Sequence, residues 1–497
     1  MFNFSGVALF SNITLLNFQL GVDYFLCFCA SPEIIGTGVA IFLRNGNYRN
    51  HLALQKTKSV NCNPKTKTMS NRRSFLNKIG LLSASAITAN MFQPAWSRNL
   101  KSAIKNAEGV APGDLATDDE FWYYVQQSYT ISSGFINLNN GGVSPAPKVV
   151  ADAMKRYYDI SNEAPSYFMW RVIDQGREPL RKNLAQLAGC DKEEIAMLRN
   201  ASEALEAVIF GIELKAGDEV VLSKQDYPNM IGAWKQREKR EGIKLAWINL
   251  ELPSEDETYL VKQYTDAFTS KTKVVQVTHM INWIGQKMPV KKIADAAKKK
   301  NIDVLVDGAH TFAQFEFLIP DLNCDYFGTS LHKWLGAPIG TGLLYVRKEK
   351  IKTIWPMFGA GEKEEDNIRK FEHLGTRPFF IEEAIDKAID FFDMIGAKRK
   401  EERLLYLKNY WMEKVQHIPK VQIHTSLKKE FGCAIGSVSV EGKKPAELDS
   451  YLWTNYKIHT VGIDWENIHG VRVTPNVYTT TKNLDRLVEG IESFAKS

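Results

Sequence analysis

The chain has 497 residues, of which 44% are hydrophobic and 24% charged, as in an ordinary soluble protein large enough for more than one domain. Its net charge of +6 originates at the N-terminus, because residues 1–98 carry ten Lys/Arg and two Asp/Glu, which leaves 53 basic and 55 acidic residues for the rest. The body is therefore nearly neutral, which gives no support to a nucleic-acid partner. Its cysteines, Cys190, Cys324 and Cys433, are widely spaced, so we interpret them as buried thiols rather than metal ligands or a disulfide framework.

An export signal is predicted before the folded body. Residues 71–78, Asn-Arg-Arg-Ser-Phe-Leu-Asn-Lys, resemble a twin-arginine signal and precede an apolar run, 79–89, that is too short to span a bilayer. Residues 69–98 are therefore predicted to be a signal peptide that delivers the protein, by the twin-arginine translocase, to the periplasm or the exterior. Met69 is the expected start, so residues 1–68 are predicted to be a non-native upstream extension. The alternative is a genuine membrane-associated extension.

The body reads as two domains of different organisation. Apolar residues recur at helical spacing or form short β-rich runs in alternation, which predicts right-handed crossovers and a mainly parallel sheet. We expect a large domain at residues 151–361, a smaller α+β domain at 362–497, and a segment, 115–150, that packs on the small domain. The predicted large-domain helices are Val149–Tyr158, Arg177–Leu187, Glu203–Ile212 and Val290–Ala297, and its strands are Glu219–Leu222, Leu245–Ile248, Lys273–Thr278 and Asp303–Val306. The small domain is predicted to contain a helical stretch Glu382–Val415, strands Gly436–Glu441 and Gly470–Thr474, and a final helix that ends at Phe494.

One strand and one lysine carry the strongest chemical signal. The buried strand Val304–Val306 ends on Asp307, and Lys333 follows within Gly-Thr-Ser-Leu-His-Lys, ahead of a glycine-rich run, 336–342. Ligands of parallel sheets collect at the carboxyl ends of the strands, where Asp307 is expected. An acid in that position, with a lysine after the next strand, suits a pyridoxal phosphate (PLP) site.

These motifs, Asp-Gly-Ala-His and Ser-x-His-Lys, resemble the class V aminotransferases, a group that contains cysteine desulfurases and isopenicillin N epimerase-like proteins. Matching motifs extend in order from about residue 135 to 487. The resemblance implies an α/β fold, that of the PLP-dependent transferases of fold type I, with a mainly parallel seven-stranded sheet in the large domain. It implies that Lys333 forms the Schiff base and that Asp307 pairs with the pyridinium nitrogen. His310 would face the phenolate oxygen, although a merely packed ring is the alternative.

The resemblance also implies a phosphate site. The turn 199–204 leads into a helix, whose free N–H groups and dipole favour an anion. Ser202 matches the family hydroxyl there, whereas Ala201 departs from the family by lacking one; a plain N-cap role is the alternative for Ser202. Ser330 and His332 resemble the remaining phosphate donors. Thr376 resembles a residue lent to the neighbouring subunit, which implies a homodimer with shared active sites.

Further site residues follow from the same resemblance. Tyr227 matches the aromatic residue that stacks on the cofactor ring, with an ordinary core tyrosine as the alternative, and Asn282 matches an asparagine beside the phenolate oxygen. Arg472, in Gly-Val-Arg-Val-Thr-Pro, matches the arginine that binds the substrate α-carboxylate, a role suited to a forked cation. Asn140 lies in the loop expected to close over the substrate.

The reaction is less defined than the cofactor. An exported aminotransferase acting on a small amino acid or conjugate is expected, with an epimerase or a cysteine or selenocysteine lyase as alternatives. A non-enzymatic periplasmic binding protein is disfavoured because Lys333, Asp307 and Arg472 are all present. No cysteine lies between residues 440 and 472, and Cys324 and Cys433 are expected on strands, which argues against a persulfide-forming desulfurase. The motifs do not define the pocket for the substrate side chain. Candidates to line it are Trp283, Tyr167, Phe168 and Trp170.

Overall fold

The computed structural model describes residues 25–27, 40–42, 94–359 and 365–497. The two short segments, Phe25–Cys27 and Ala40–Phe42, pair antiparallel within a separate unit that ends at Leu82. The predicted upstream extension and signal peptide therefore lie almost wholly outside the described residues. Within the described part of the chain, no helix is both long and apolar enough to cross a membrane.

A seven-stranded sheet forms the centre of the region predicted to be the large domain, a name that is kept here although residues 83–497 belong to one compact unit. The strands of this sheet, in chain order β1 to β7, are Ile195–Leu198, Glu219–Ser223, Lys244–Ile248, Thr272–Thr278, Asp303–Asp307, Tyr326–Ser330 and Gly342–Val346. They lie in the order β1-β7-β6-β5-β4-β2-β3, and β7 alone runs antiparallel to the others, so the predicted α/β fold with a mainly parallel sheet is confirmed.

Both faces of the sheet are covered by helices. Successive side chains of a strand point to opposite faces, so in β5 Val304 and Val306 enter one apolar cluster, whereas Leu305 enters another. The sequence of such a strand is accordingly a continuous apolar run rather than an alternating one. The helices of this domain are Lys148–Glu163, Pro165–Arg171, Arg177–Ala188, Ala201–Gly211, Pro228–Glu241, Glu257–Asp266 and Val290–Lys298.

The small domain contains a four-stranded antiparallel sheet, whose strands β8 to β11 are Val421–Ile423, Gly436–Val440, Val461–Trp465 and Ile468–Val473. They lie in the order β8-β9-β11-β10. The long helical stretch predicted for this region is instead divided among three helices, with breaks at Ala384 and at Gly396, where Gly396 adopts φ 93°. The helices of this part of the chain are Phe379–Glu383, Ile385–Ile395, Ala397–Val415, Pro445–Tyr451 and Thr481–Lys496.

The N-terminal segment lies against the small domain. Its helices are Ala95–Asn106, Pro112–Ala116 and Asp119–Gln126. Ile136–Asn137 pairs in parallel with Ile458–His459, and Asn139 forms a bridge to Thr474, just after β11. This pairing brings the loop 139–142 next to the end of β11, where Arg472 lies.

Candidate active site

A cavity of about 190 Å³ opens at the carboxyl ends of β5 and β6. The parallel register pairs Asp307, the last residue of β5, with Gly328 of β6, and β6 leads directly to Lys333. The predicted site residues that line this cavity are Ala201, Ser202, Tyr227, Asn282, Asp307, His310, Ser330, His332 and Lys333. Further lining residues are Gly142, Asn200, Leu205, Met230, Thr278 and Ala309.

Lys333 and His310 form a buried pair. Lys333 Nζ lies 3.0 Å from His310 Nε2. Burial lowers the pKa of Lys333 to about 8; Asp307 opposes this shift and Arg472 adds to it. Burial, together with the charges of Lys333 and Arg472, also holds the pKa of His310 well below its usual value. At pH 7 about one tenth of Lys333 is therefore a neutral amine, the form that attacks a carbonyl, whereas an ordinary lysine has well under one hundredth in that form.

Asp307 is a buried carboxylate at the end of a strand. Its Oδ1 accepts a hydrogen bond of 2.9 Å from Ala309 N. Burial raises the pKa of Asp307, while the Ala309 N–H and Lys333 favour the charged form. Gly308 makes this turn possible, because a Cβ there would lie 1.9 Å from the Phe327 ring. A carboxylate in this environment is stabilised by a cationic partner.

The phosphate turn is built differently from the prediction in one respect. The helix Ala201–Gly211 begins two residues before the predicted start at Glu203, and its N-cap is Asn200, whose Oδ1 accepts a 2.9 Å bond from Glu203 N. The plain N-cap alternative for Ser202 is therefore wrong. Ser330 Oγ accepts a bond from Ala201 N at 2.9 Å, which places two hydroxyl-bearing residues at the same helix N-terminus.

His332 is oriented by a backbone carbonyl. Its Nδ1 lies 3.0 Å from Thr341 O, so Nδ1 carries the hydrogen and donates it to that oxygen. Burial lowers the pKa of His332. The free Nε2 can consequently donate to a phosphate oxygen only when the ring is protonated, which the negative charge of a phosphate favours.

Arg472 is a buried guanidinium without an acidic partner. It donates from Nη2 to Asn139 Oδ1 at 2.9 Å and from Nη1 to Asn282 O at 3.2 Å, and its Nε has no partner in the described part of the chain. No carboxylate of the described residues pairs with it, and burial lowers its pKa to about 10. An uncompensated buried charge is costly, so this position is suited to an incoming anion.

Three predicted residues, Arg472, Asn140 and Thr376, are not among those that line the cavity. Asn140 is fully buried, and its amide bonds to Asn137, to Thr474 O at 2.8 Å and to the Tyr478 hydroxyl. These bonds make Asn140 a support of the loop, not a substrate contact, whereas its neighbour Asn139 contacts Arg472. Thr376 is exposed, and its role in a neighbouring subunit stays a prediction.

Sequence reasoning missed a second buried acid. Asp226 accepts bonds from Thr278 Oγ1 at 2.6 Å and Ser223 N at 2.9 Å, and burial raises its pKa to about 7. The nearby charge of Asp307 adds to this shift. The signal that could have identified it is its position directly after β2, at the same sheet edge as Asp307.

Among the described residues, Cys190, Cys324 and Cys433 do not line the cavity. Cys324 and Cys433 are buried next to strands rather than on them as predicted, because β6 begins at Tyr326 and β9 at Gly436. Burial raises the thiol pKa to about 12 in Cys190 and Cys324 and to about 11 in Cys433. None of these thiols is a thiolate at neutral pH, the form that attacks sulfur.

The sheet order, the strand-end carboxylate and the lysine that follows it are those of fold type I, the fold of many PLP-dependent enzymes. The sequence profile of the family "Aminotransferase class-V" matches residues 136–487. The chain therefore belongs to the class V aminotransferase family, and its cofactor is PLP.

Curated relatives differ in the reaction for which they are named. An isopenicillin N epimerase of Streptomyces clavuligerus is 25% identical over 391 residues, which cover 75% of this chain and 98% of that protein. A probable cysteine desulfurase of Synechocystis sp. is 26% identical over 349 residues, covering 65% and 82%. The solved cysteine desulfurase of Thermococcus onnurineus shares the fold, with a TM-score of 0.66 and 22% identity, over 75% of this chain and 97% of that one.

The residues of the cavity fit this cofactor. Asp307 would pair with the ring nitrogen, Lys333 would form the imine, and Ser202, Ser330 and the helix N-terminus would hold the phosphate. When Lys333 donates to His310 Nε2, the ring hydrogen lies on Nδ1, which is buried and has no partner among the described residues. A hydrogen-bond donor kept in this way is suited to an oxygen of the cofactor.

Proposed function

We propose that the protein is an exported PLP-dependent aminotransferase, which acts on a small amino acid or an amino-acid conjugate with a free α-carboxylate. The observation that supports this most directly is Arg472, a forked cation buried beside the cavity without a carboxylate of its own. A substrate carboxylate would take that place, with Asn139 and Asn282 fixing the guanidinium.

The chemistry divides between cofactor and chain. When bound, PLP supplies an electron sink for the charge left on Cα. Lys333 Nζ, with its lowered pKa, would take the proton from the substrate Cα. Transamination requires that the same amine return this proton to a carbon of the cofactor on the same side. Asp307 would keep the ring nitrogen protonated, and Tyr227 would cover the ring and exclude water.

The test is product analysis with the holoenzyme. Loading the purified protein with PLP should give a visible absorbance that borohydride bleaches, and a panel of amino acids with a keto-acid acceptor should yield a new keto acid. Lys333→Ala should lose both signals, while Lys352→Ala, an exposed lysine outside the cavity, should keep them. A protein that stays colourless with PLP, or that turns over no amine, contradicts the proposal.

Epimerisation is the second candidate, supported by two relatives named isopenicillin N epimerase, which are matched over 98% and 99% of their length. It requires a second proton carrier on the opposite side of Cα. In deuterium oxide, the product would then be the opposite epimer with deuterium at Cα, and no keto acid would form. A C–S or C–Se lyase would release sulfide or selenide instead, and the raised thiol pKa values argue only against the route that needs a cysteine nucleophile.

Export and assembly are proposals that rest on the sequence. The twin-arginine pattern at residues 71–78 supports export, and Arg72→Lys with Arg73→Lys should retain the protein in the cytoplasm. N-terminal sequencing of the mature protein should give a start near residue 98; residues 1–68 on the mature protein would contradict the assignment. A homodimer with shared sites is proposed from the Gly-Thr-Arg motif at 375–377.

A further inference from the structure

An aromatic stack connects the cavity with the small domain. The rings of Tyr227 and Trp283 are stacked with centroids 6.3 Å apart and an interplanar angle of 28°. The rings of Trp283 and Trp465 are stacked in the same way, at 5.7 Å and 27°. Tyr227 lines the cavity, whereas Trp465 is the last residue of β10. The stack therefore reaches from the small domain to the site.

Hydrogen bonds fix both indoles to the loop that carries Tyr227. Trp283 Nε1 donates to Gln225 O at 2.9 Å, and Trp465 Nε1 donates to Lys224 O at 2.9 Å. These carbonyls lie two and three residues before Tyr227. Each tryptophan thus contacts the next ring of the stack and also holds the backbone of the same loop, which fixes its orientation.

The turn between β10 and β11 adds another attachment. Trp465 pairs with Ile468, so Glu466 and Asn467 alone form the turn, and Glu466 adopts φ 51°, which is uncommon for a residue other than glycine. Asn467 Oδ1 accepts a 2.7 Å bond from Gln225 Nε2, and its Nδ2 donates to Leu250 O at 2.9 Å. The oxygen and the nitrogen of the Asn467 side-chain amide therefore both attach this turn to the large domain.

The loop on the large-domain side has little freedom. Gln225 is fully buried, and its Oε1 accepts bonds from Ser223 Oγ at 2.8 Å and Leu250 N at 2.9 Å. Asp226 is held by Ser223 and Thr278, as described above. The Tyr227 ring itself is partly exposed, so its position depends on the stacked indoles beside it.

We propose that Trp465 and Asn467 are positioning residues of the active site, which set the orientation of the Tyr227 ring through Trp283. Neither residue lines the cavity. The inference rests on the proposed function, in which Tyr227 covers the cofactor ring. Since Trp465 belongs to the small domain, a shift of β10 relative to the loop 224–227 displaces the stack and with it Tyr227.

The test uses holoenzyme variants at both ends of the stack. Tyr227→Leu is the reference, Trp465→Leu removes the outer ring, Trp465→Phe keeps a ring without its N–H, and Asn467→Ala removes the amide. Trp453→Leu is the matched control, because Trp453 is an exposed tryptophan of the same domain that contacts Phe135 and His459. The readouts are the circular dichroism of the bound PLP band, the affinity for PLP by absorbance titration, and kcat and KM separately.

We expect Trp465→Leu to change the dichroism of the PLP band in the same sense as Tyr227→Leu and to lower kcat about threefold to tenfold, with KM nearly unchanged. Trp465→Phe should recover most of the signal, Asn467→Ala should be intermediate, and Trp453→Leu should match the wild type. If Trp465→Leu is insoluble, Asn467→Ala carries the test. If Trp465→Leu and Asn467→Ala keep the wild-type dichroism and kcat while Tyr227→Leu alters both, the positioning role of Trp465 and Asn467 is overturned and the proposed function is not affected. An unaltered Tyr227→Leu enzyme would overturn the role of Tyr227 as well.

Discussion

At the scale of single residues, the burial of Arg472 lowers the stability of the ligand-free protein and prepares a binding site for an anion. Its guanidinium is buried with two hydrogen bonds and no carboxylate, an arrangement that is costly until an anion arrives. We expect Arg472→Met to raise the free energy of unfolding of the cofactor-free protein by about 1 kcal/mol. The same change should raise KM for the amino-acid substrate about 100-fold, since a charge-assisted, forked contact is lost. Urea unfolding and steady-state kinetics measure the two effects.

Arg181 offers a matched control for that prediction. It is also a fully buried arginine, but it pairs with the buried carboxylate of Glu372 at 2.5 Å. Arg181→Met should therefore destabilise the protein by about 3–5 kcal/mol, because Glu372 loses its main partner. If Arg472→Met destabilises the protein as Arg181→Met does and leaves KM unchanged, Arg472 is a structural residue rather than the carboxylate site.

Asp226 predicts a pH dependence of stability. Burial raises its pKa to about 7 in the folded state, against about 4 in the unfolded chain. The folded state therefore binds the proton more tightly, and this contribution to stability is complete below pH 4 and is lost as the pH rises to 7. The loss from this group is at most about 1.4 kcal/mol per pH unit. Asp226→Asn should reduce the change in unfolding free energy between pH 5 and 7. If the slope with pH is the same as in the wild type, other groups cause the pH dependence.

Local patterns sufficed for some site residues and failed for others. Asp307 and Lys333 could be predicted because an apolar strand end and a glycine-rich run are visible in the sequence. Asn140 and Asn139 are adjacent and chemically identical, and the choice between them is made by Thr474, more than 300 residues away. The N-cap alternative for Ser202 is wrong for a similar reason, since Asn200 and Ser202 are both good caps and the structure uses Asn200.

At the scale of elements, close packing of β7 against the phosphate turn predicts a sensitive glycine. A Cβ at Gly342 would lie 2.6 Å from the backbone of Asn200, the N-cap of the helix Ala201–Gly211. We expect Gly342→Ala to displace this turn, with a loss of about 1–3 kcal/mol in unfolding free energy and weaker binding of PLP. Absorbance titration with PLP measures the second effect.

The control for this prediction is another glycine of the large domain. Gly232 lies inside the helix Pro228–Glu241, and a Cβ there would meet no atom within 4 Å. Gly232→Ala should be neutral or stabilising by up to about 1 kcal/mol, because alanine favours a helix. Equal effects of the two substitutions on PLP binding would show that the contact with Asn200 does not shape the phosphate turn.

Elements were predictable in proportion to their apolar pattern. The strands β2 to β5 are apolar runs and were placed within one residue at each end. β6, with Gly328, Thr329 and Ser330, has no such pattern and forms a strand because β5 and β7 pair with it on both sides. Likewise, the charged stretch from residue 382 has helical periodicity throughout, whereas the structure interrupts it at Ala384 and at Gly396, the latter with a backbone φ of 93°.

At the scale of the whole molecule, a shared active site predicts complementation between two damaged subunits. Thr376 is exposed and lies outside the cavity of its own chain, whereas Lys333 lines that cavity. A hybrid dimer of a Lys333→Ala subunit and a Thr376→Asp subunit would contain one intact site, with Lys333 from one chain and Thr376 from the other. We expect it to have about half of the wild-type activity, while both parent homodimers are strongly impaired. Co-expression with two affinity tags isolates the hybrid for the assay.

The reciprocal hybrid distinguishes shared sites from separate ones. A subunit that carries both substitutions, paired with a wild-type subunit, leaves no intact site if Thr376 serves the partner, because the only Lys333 then faces Thr376→Asp. If each chain uses its own Thr376, the outcomes exchange: this second hybrid keeps one intact site and about half of the activity, and the first hybrid keeps none. Both hybrids contain one Lys333→Ala and one Thr376→Asp substitution and differ only in whether these lie on different chains or on the same chain. Differences in stability or expression therefore do not produce that exchange of outcomes.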